Sequence, residues 1–239
     1  MARTTKAPDP KAAVALLWGE QEQPTRGPRP SLTPRRIAAA AVALADAQGL
    51  EAVSMSKVAA EFEVSAMALY RYVPGKTELV ALMVEEVMAE VPDLSAAGEG
   101  WEPRLRAWAH RSQELYHAHP WLLGATAMSR GLMGPHQLGW LDAALAALAG
   151  TSLGAAQRHQ VFVLIAGLVR SVVQQQVDFD EAGDREWDRL TGELMARHAD
   201  RFPALTAAIA DGVFAPSGID PLDFGLDRLL AGVRELDEG

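Results

Sequence analysis

From residue 33 onward the apolar positions recur every three to four residues, the spacing of helices that bury one face, and no stretch alternates with period two between turn signals. The opening stretch differs. Five of the 14 prolines, Pro8, Pro10, Pro24, Pro28 and Pro30, fall there and forbid a continuous helix, leaving room for one short helical stretch near residues 11–18. Thr33 then stands at an N-cap, Pro34 at the first helical position, and Ile37, Ala41, Leu44 and Gln48 follow at helical spacing until Gly49. Ser54 can cap a short second helix over 55–62, and Ser65 a third over 66–73 that Pro74-Gly75 ends. A fourth begins near Lys76 and sets Leu79, Leu82, Met83 and Val87 on one face before Pro92. After the small, polar residues 93–100, a hinge between domains, helical patterns return over 102–118, 121–130, 136–149, 153–176, 186–199, 203–211 and 220–235. The expected class is all-α.

Two short helices joined by a tight turn and braced by a longer helix make a helix-turn-helix, whose second short helix enters the major groove of DNA. Residues 32–78 are therefore expected to be a three-helix DNA-binding domain, residues 1–31 a flexible basic arm, and residues 79–239 a larger helical bundle for ligand binding and dimerisation. Within the third helix, small Ser65, Ala66 and Ala68 let the backbone approach base edges, and Ser65 can offer its hydroxyl to a phosphate. Met67 suits a thymine methyl, and Arg71 is the side chain able to grip guanine through two hydrogen bonds. Val58, Ala59, Phe62 and Leu69 are spaced to lock the short helices together, a packing role.

A net charge of −9 argues against nucleic acid until it is divided along the chain. Residues 1–78 hold 10 Lys/Arg and 8 Asp/Glu, which leaves 12 basic and 23 acidic residues, net −11, for the remainder. An acidic body behind a basic head repels DNA everywhere but at the head. The absence of cysteine excludes disulfide scaffolds, thiolate metal sites and thiol catalysis, and fits a reducing cytoplasm. The longest strictly apolar run, 161–169, falls well short of the roughly 20 residues a membrane span needs. Neither membrane insertion nor export is expected. Being apolar on all sides, that helix is expected inside a bundle or at a subunit interface.

The run AAVALADAQGLEAVSMSKVAAEFEVSAMALYRYVPGKTELVALM closely resembles the DNA-binding domain of the TetR family. Gly100-Trp101-Glu102-Pro103, the stretch from Arg104 to His119-Pro120, and Gly225-Leu226-Asp227-Arg228-Leu229-Leu230-Ala231-Gly232-Val233 look like a C-terminal domain of the tetracycline-repressor type. The resemblance implies that Ser65, Ala66, Met67, Ala68 and Arg71 face bases, that Tyr70, Tyr72 and Lys76 hold phosphates, and that Lys57, or Ser56 before it, touches the backbone or a base. Arg26 and Arg29, in Arg26-Gly27-Pro28-Arg29-Pro30, resemble arms that reach a minor groove; a plain linker is the alternative. One position departs from the family pattern. Glu63 stands where a turn glycine is usual, a site that favours positive φ.

In the second domain Trp101, Trp108, Tyr116, Trp121, Met128, Met133, Trp140, Phe162, Gln174 and Phe179 have the composition of an apolar pocket with polar handles. His110, Glu114 and His117 fall on one helical face and could orient a polar ligand. No metal or other cofactor is expected, and the histidine of a tetracycline–magnesium site is not evident after His119-Pro120, where Trp121-Leu122-Leu123-Gly124 follows. The expected partners are double-stranded operator DNA, a small-molecule inducer and a second copy of the chain, paired through the helix at 155–176 and a C-terminal helix carrying Leu222, Leu226, Leu229, Leu230 and Val233. No nucleophile elbow, phosphate loop, zincin signature or dinucleotide fingerprint is present, so an enzyme is not expected. The rival is a helical adaptor or small-molecule-binding protein without operator binding, for which the basic head and short third helix would have no use.

Overall fold

The computed structural model describes residues 10–20, 32–128, 133–177, 181–213, 215 and 218–238, and among these residues every regular element is helical. Helix α1 (Pro10–Leu17) precedes α2 (Pro34–Gln48), α3 (Met55–Ala60), α4 (Ala66–Leu69) and α5 (Lys76–Val87). The larger part contains α6 (Trp101–Ala118), α7 (Leu122–Met128), α8 (Pro135–Ala147), α9 (Ala155–Val177), α10 (Glu181–Arg197), α11 (Pro203–Ala210) and α12 (Pro221–Glu238).

The starts follow from side-chain caps. Thr33 Oγ1 accepts from Arg36 N at 3.2 Å ahead of Pro34, and Ser54 Oγ accepts from Lys57 N at 3.2 Å, each satisfying an amide the helix itself leaves unpaired. Ser65 also occupies an N-cap position, but its side chain makes no cap bond there. Helices α3 and α4 are shorter than their sequence patterns. The first closes in turns from Phe62 N and Glu63 N to the carbonyls of Ala59 and Ala60, with Val64 N returning to Ala59 O. That reversal puts Glu63 at φ 55°, the left-handed region its position in the motif suggests. After Leu69 the chain tightens, with Tyr72 N donating to Leu69 O at 2.8 Å, so Tyr70, Arg71 and Tyr72 lie in the turn beyond α4 instead of on a longer helix.

Two hydrophobic cores form. The first joins α1, α2, α3, α4 and α5 around Ile37, Val58, Leu69, Leu79 and Met83, and takes in Trp121, Leu122 and Ala125 from the far side of α5. The second joins α6, α8, α9 and α12 around Leu105, Leu148, Ile165, Leu222 and Leu226. Met88, Leu115 and Tyr116 pack against both.

Three features differ from the sequence expectations. The short helix expected near residues 11–18 forms as α1, but it is packed instead of mobile: Ala13, Leu16 and Leu17 are buried and the helix rests on α5. The C-terminal leucines expected at an interface are spent within the chain: Leu222, Leu226, Leu230 and Val233 are buried against the second core, and Leu229 is half-buried. Helix α9, though its strict apolar run is short, is long and apolar enough to cross a membrane by length and composition alone. Its inner face, with Val161, Ile165, Val169, Val172 and Val173 buried, packs on α6 and α12.

Candidate nucleic-acid interface and ligand cavity

The four-residue α4 owes its placement to Leu69, fully buried beneath it, while Met67 on the opposite side is 72% exposed. That contrast fixes the outward face. Ser65, Tyr70, Arg71 and Lys76 are exposed, Ala66, Ala68 and Tyr72 are half-buried, and Ser56 and Lys57 are exposed on α3 alongside. One surface thus carries a hydroxyl-lined helix start, a protruding thioether, two phenols and cations at Lys57, Arg71 and Lys76. Such a face offers phosphate contacts at its rim and base contacts at its centre. Behind it, Arg36 stacks over Phe62, 5.7 Å from the ring centroid, and steadies α2 against the turn. Arg26 and Arg29 lie outside the described residues.

A cavity of about 140 Å³ opens at the seam between the cores. Trp108, Trp140 and Phe162, all singled out from sequence, line it, as do Tyr116 and Met133. Trp108 meets both other rings edge-on, at 6.2 Å from Trp140 and 5.5 Å from Phe162. The Trp108 indole N–H donates to Trp140 O at 2.9 Å, and the Trp140 indole N–H to Met88 O at 3.0 Å, so each ring is held by its own hydrogen bond. Sequence reasoning missed Met88, Ser112, Leu115, Leu122, Thr126, Gln137, Leu141, Ala166 and Val169. Apart from Gln137 they are small or apolar residues of types every core uses, and no spacing signal separates a wall from a core.

Among the described residues the remaining ligand candidates do not line the cavity. His110 bonds Asp223 of α12 at 3.0 Å, Glu114 pairs with Arg111 at 2.7 Å, and His117 bonds Gln176 of α9 at 2.7 Å. One stripe of α6 therefore diverges to two neighbouring helices and solvent, and among the described residues no group of acidic or imidazole side chains is arranged to hold a metal. Trp121 turns toward the first core, its indole N–H donating to Asp46 Oδ1 of α2 at 2.6 Å, and the His119 Nδ1 lies 2.8 Å from the same oxygen. Gln174 is exposed on α9 away from the cavity. The side chain of Met128, and all of Phe179, lie outside the described residues.

Helix α5 connects the two sites. Glu85, buried on it, accepts from His136 N at 2.8 Å and Gln137 N at 3.0 Å, and so caps α8 with a carboxylate where the helix dipole is positive. The His136 ring also bonds Glu85 O at 2.9 Å. Gly134 sits so close that a Cβ there would lie 2.3 Å from Glu85 Cδ. Farther out, Arg106 bridges α6 to Asp227 at 2.7 Å and Asp223 at 3.2 Å on α12; the hydrogen bond it donates to Asp227, then the Asp227 charge and the bond to and charge of Asp223, hold the guanidinium pKa above its ordinary value.

An exposed helix-turn-helix face joined by a shared helix to an aromatic cavity defines a helical DNA-binding regulator of the two-domain type. Residues 37–83 match the family described as bacterial regulatory proteins, tetR family, and residues 94–236 match the tetracyclin repressor-like C-terminal domain. The HTH-type transcriptional repressor DrrR1 of Streptomyces coeruleorubidus is 34% identical over 98% of this chain and 88% of its own length. An HTH-type transcriptional regulator of Saccharopolyspora erythraea is 32% identical over 98% of this chain and 97% of its own. Among solved structures, the Streptomyces coelicolor TetR family protein ActR in complex with actinorhodin superposes with a TM-score of 0.70 at 25% identity, covering 84% of this chain and 95% of that one. The chain belongs to the TetR family of transcriptional regulators.

Proposed function

We propose that the chain is a homodimeric repressor that holds a pseudo-palindromic operator through the α4 face and releases it when a small molecule enters the cavity. The observation that carries this reading is the position of the cavity: Met88, Leu115 and Tyr116, which pack against both cores, are also three of its walls. A ligand that prefers one spacing of those walls shifts α5, and with it the recognition surface, by its differential affinity for the two states. The relatives fit. DrrR1 is a repressor, and ActR binds actinorhodin.

Dimerisation is supported by what α9 and α12 leave uncovered. Val163 and Leu164 on α9 are exposed, Leu164 by 55%, as are Phe224 and Leu236 on α12. Added Cβ atoms at Gly167 and Gly232 would meet nothing in the chain, so these small residues leave room for a second copy, whereas Gly225 lies against Leu168 and brings α9 and α12 together. The two recognition surfaces of a dimer must then sit about 34–36 Å apart to enter successive major grooves.

The test is selection of bound duplexes from a random library, followed by salt titration. An enriched pseudo-palindrome whose affinity falls steeply with salt supports the reading. A folded dimer, free of bound small molecules, that enriches no duplex overturns it.

A further inference from the structure

The polar groups of the cavity wall divide into those already engaged and those with nothing to hold. Both indole N–H groups, of Trp108 and Trp140, donate to backbone carbonyls at 2.9 and 3.0 Å. Ser112 Oγ donates to Trp108 O at 2.9 Å; Thr126 Oγ1 donates to Leu122 O at 2.8 Å and accepts from Arg170 at the same distance. What remains is the hydroxyl of Tyr116 and the side-chain amide of Gln137, for which no hydrogen-bond partner exists among the described residues.

No charged side chain lines the cavity among the described residues. Two ionic groups that bond to wall residues are both committed. Arg170 is held by Thr126 and by Leu123 O, and Glu85 by the amides at the start of α8. A charged ligand would lose its hydration without gaining a counter-charge, a cost that aromatic contact does not repay. A neutral molecule loses little and gains the faces and edges of Trp108, Trp140 and Phe162.

We infer that the cavity selects an uncharged, largely aromatic molecule bearing a hydroxyl or carbonyl group, and that Tyr116 and Gln137 are the residues that read that group. Tyr116 supplies a donor that can also accept, and Gln137 supplies both. Because an unmet amide inside an apolar pocket is penalised, the same pair disfavours hydrocarbons of equal size. This specificity rests on the proposed ligand role of the cavity, though not on the release of DNA.

The test uses three molecules of one shape, 2-naphthalenemethanol, 2-methylnaphthalene and 2-naphthoate, with binding to the full-length protein measured by equilibrium dialysis in the absence of DNA. The alcohol is expected to bind best and the carboxylate at least roughly 100-fold more weakly. In the Tyr116→Phe/Gln137→Leu double variant the alcohol should lose about 10-fold or more while the methyl compound binds as well as before or better. Ala166→Trp, which fills the cavity, should abolish binding of all three and locate it there. Naphthoate binding as tightly as the alcohol, equal losses for alcohol and hydrocarbon in the double variant, or no binding of any probe would each overturn the assignment. A cavity that sorts the probes as expected while operator affinity stays unchanged would leave this inference standing and sink only the inducer reading.

Discussion

Two residues apart on the same short helix, Leu69 is wholly buried and Met67 is 72% exposed, and that opposition is what aims α4 outward. Its chemistry then lies in the turn that follows, where Arg71 is exposed. Arg71→Ala is expected to lower operator affinity by roughly 10- to 100-fold, the worth of a bidentate base contact of about 1–3 kcal/mol, with an unchanged circular dichroism spectrum and melting temperature. An unaltered affinity would move recognition elsewhere on the face. Glu63 supplies a second case. Its φ of 55° strains a residue with a Cβ and places a carboxylate beside the proposed DNA surface. Glu63→Gly should raise stability by about 0.5–1 kcal/mol, measured by thermal unfolding, and tighten duplex binding most at low salt. The Glu63 strain was legible from the resemblance, because a glycine is usual at that turn position and the backbone keeps its conformation with glutamate there. The divergence of His110, Glu114 and His117 was not, because spacing fixes the stripe of α6 they share but not which neighbour each long side chain leans toward.

At the scale of elements, helix starts were readable wherever a side chain does the capping, as at Thr33 and Ser54. The start of α8 was also placed to within a residue, but its cap was not readable, since it is Glu85, borrowed from α5, and a glutamate inside an amphipathic pattern reads as solvated surface. That borrowed cap is also a tie between α5 and the cavity wall, beside the Trp140 bond to Met88 O, because Gln137 and Trp140 follow it on α8. Glu85→Ala leaves two amides without partners, for which about 2–4 kcal/mol of stability should be lost. More telling is the coupling. With the protein still folded at low temperature, a cavity ligand should bind the variant yet change operator affinity less than in the parent, compared by fluorescence anisotropy. A second tie bypasses α5 altogether. Asp46 of α2 takes hydrogen bonds from Trp121 and His119 just ahead of α7, whose Leu122 and Thr126 are also cavity walls. Asp46→Ala leaves the nearly buried Trp121 indole N–H unmet and should cost about 1–3 kcal/mol. If ligand response survives loss of Asp46 but not of Glu85, the signal runs along α5 alone.

For the whole molecule, charge and apolar surface answer different questions. The uneven charge, +2 over residues 1–78 and −11 over the rest, decides which end faces DNA, and it works at a distance that salt shortens. The uncovered faces of α9 and α12 are the proposed means by which two such ends act together. Both α9 and the leucine stripe of α12 are expected at this surface from sequence, but the stripe is the stronger apolar pattern and the chain's own core claims it. Phe224, Arg228 and Gly232 form the opposite side, with Arg228 over the Phe224 ring at 5.7 Å. A charge placed in this surface should cost the partner, not the fold, because the residue displaced is exposed in the single chain. Leu164→Arg is therefore expected to sediment as a monomer with near-parental helicity, and to bind a full operator about 100-fold or more weakly, while its affinity for an isolated half-site stays within a few fold of the parent. Loss of both affinities together would mean that the substitution disturbs the second core through its neighbour Ile165, and dimerisation would have to be sought on another face. Loss of the first alone ties operator length to the α9 and α12 surface, and makes the spacing between recognition helices the quantity that a ligand in the cavity must change.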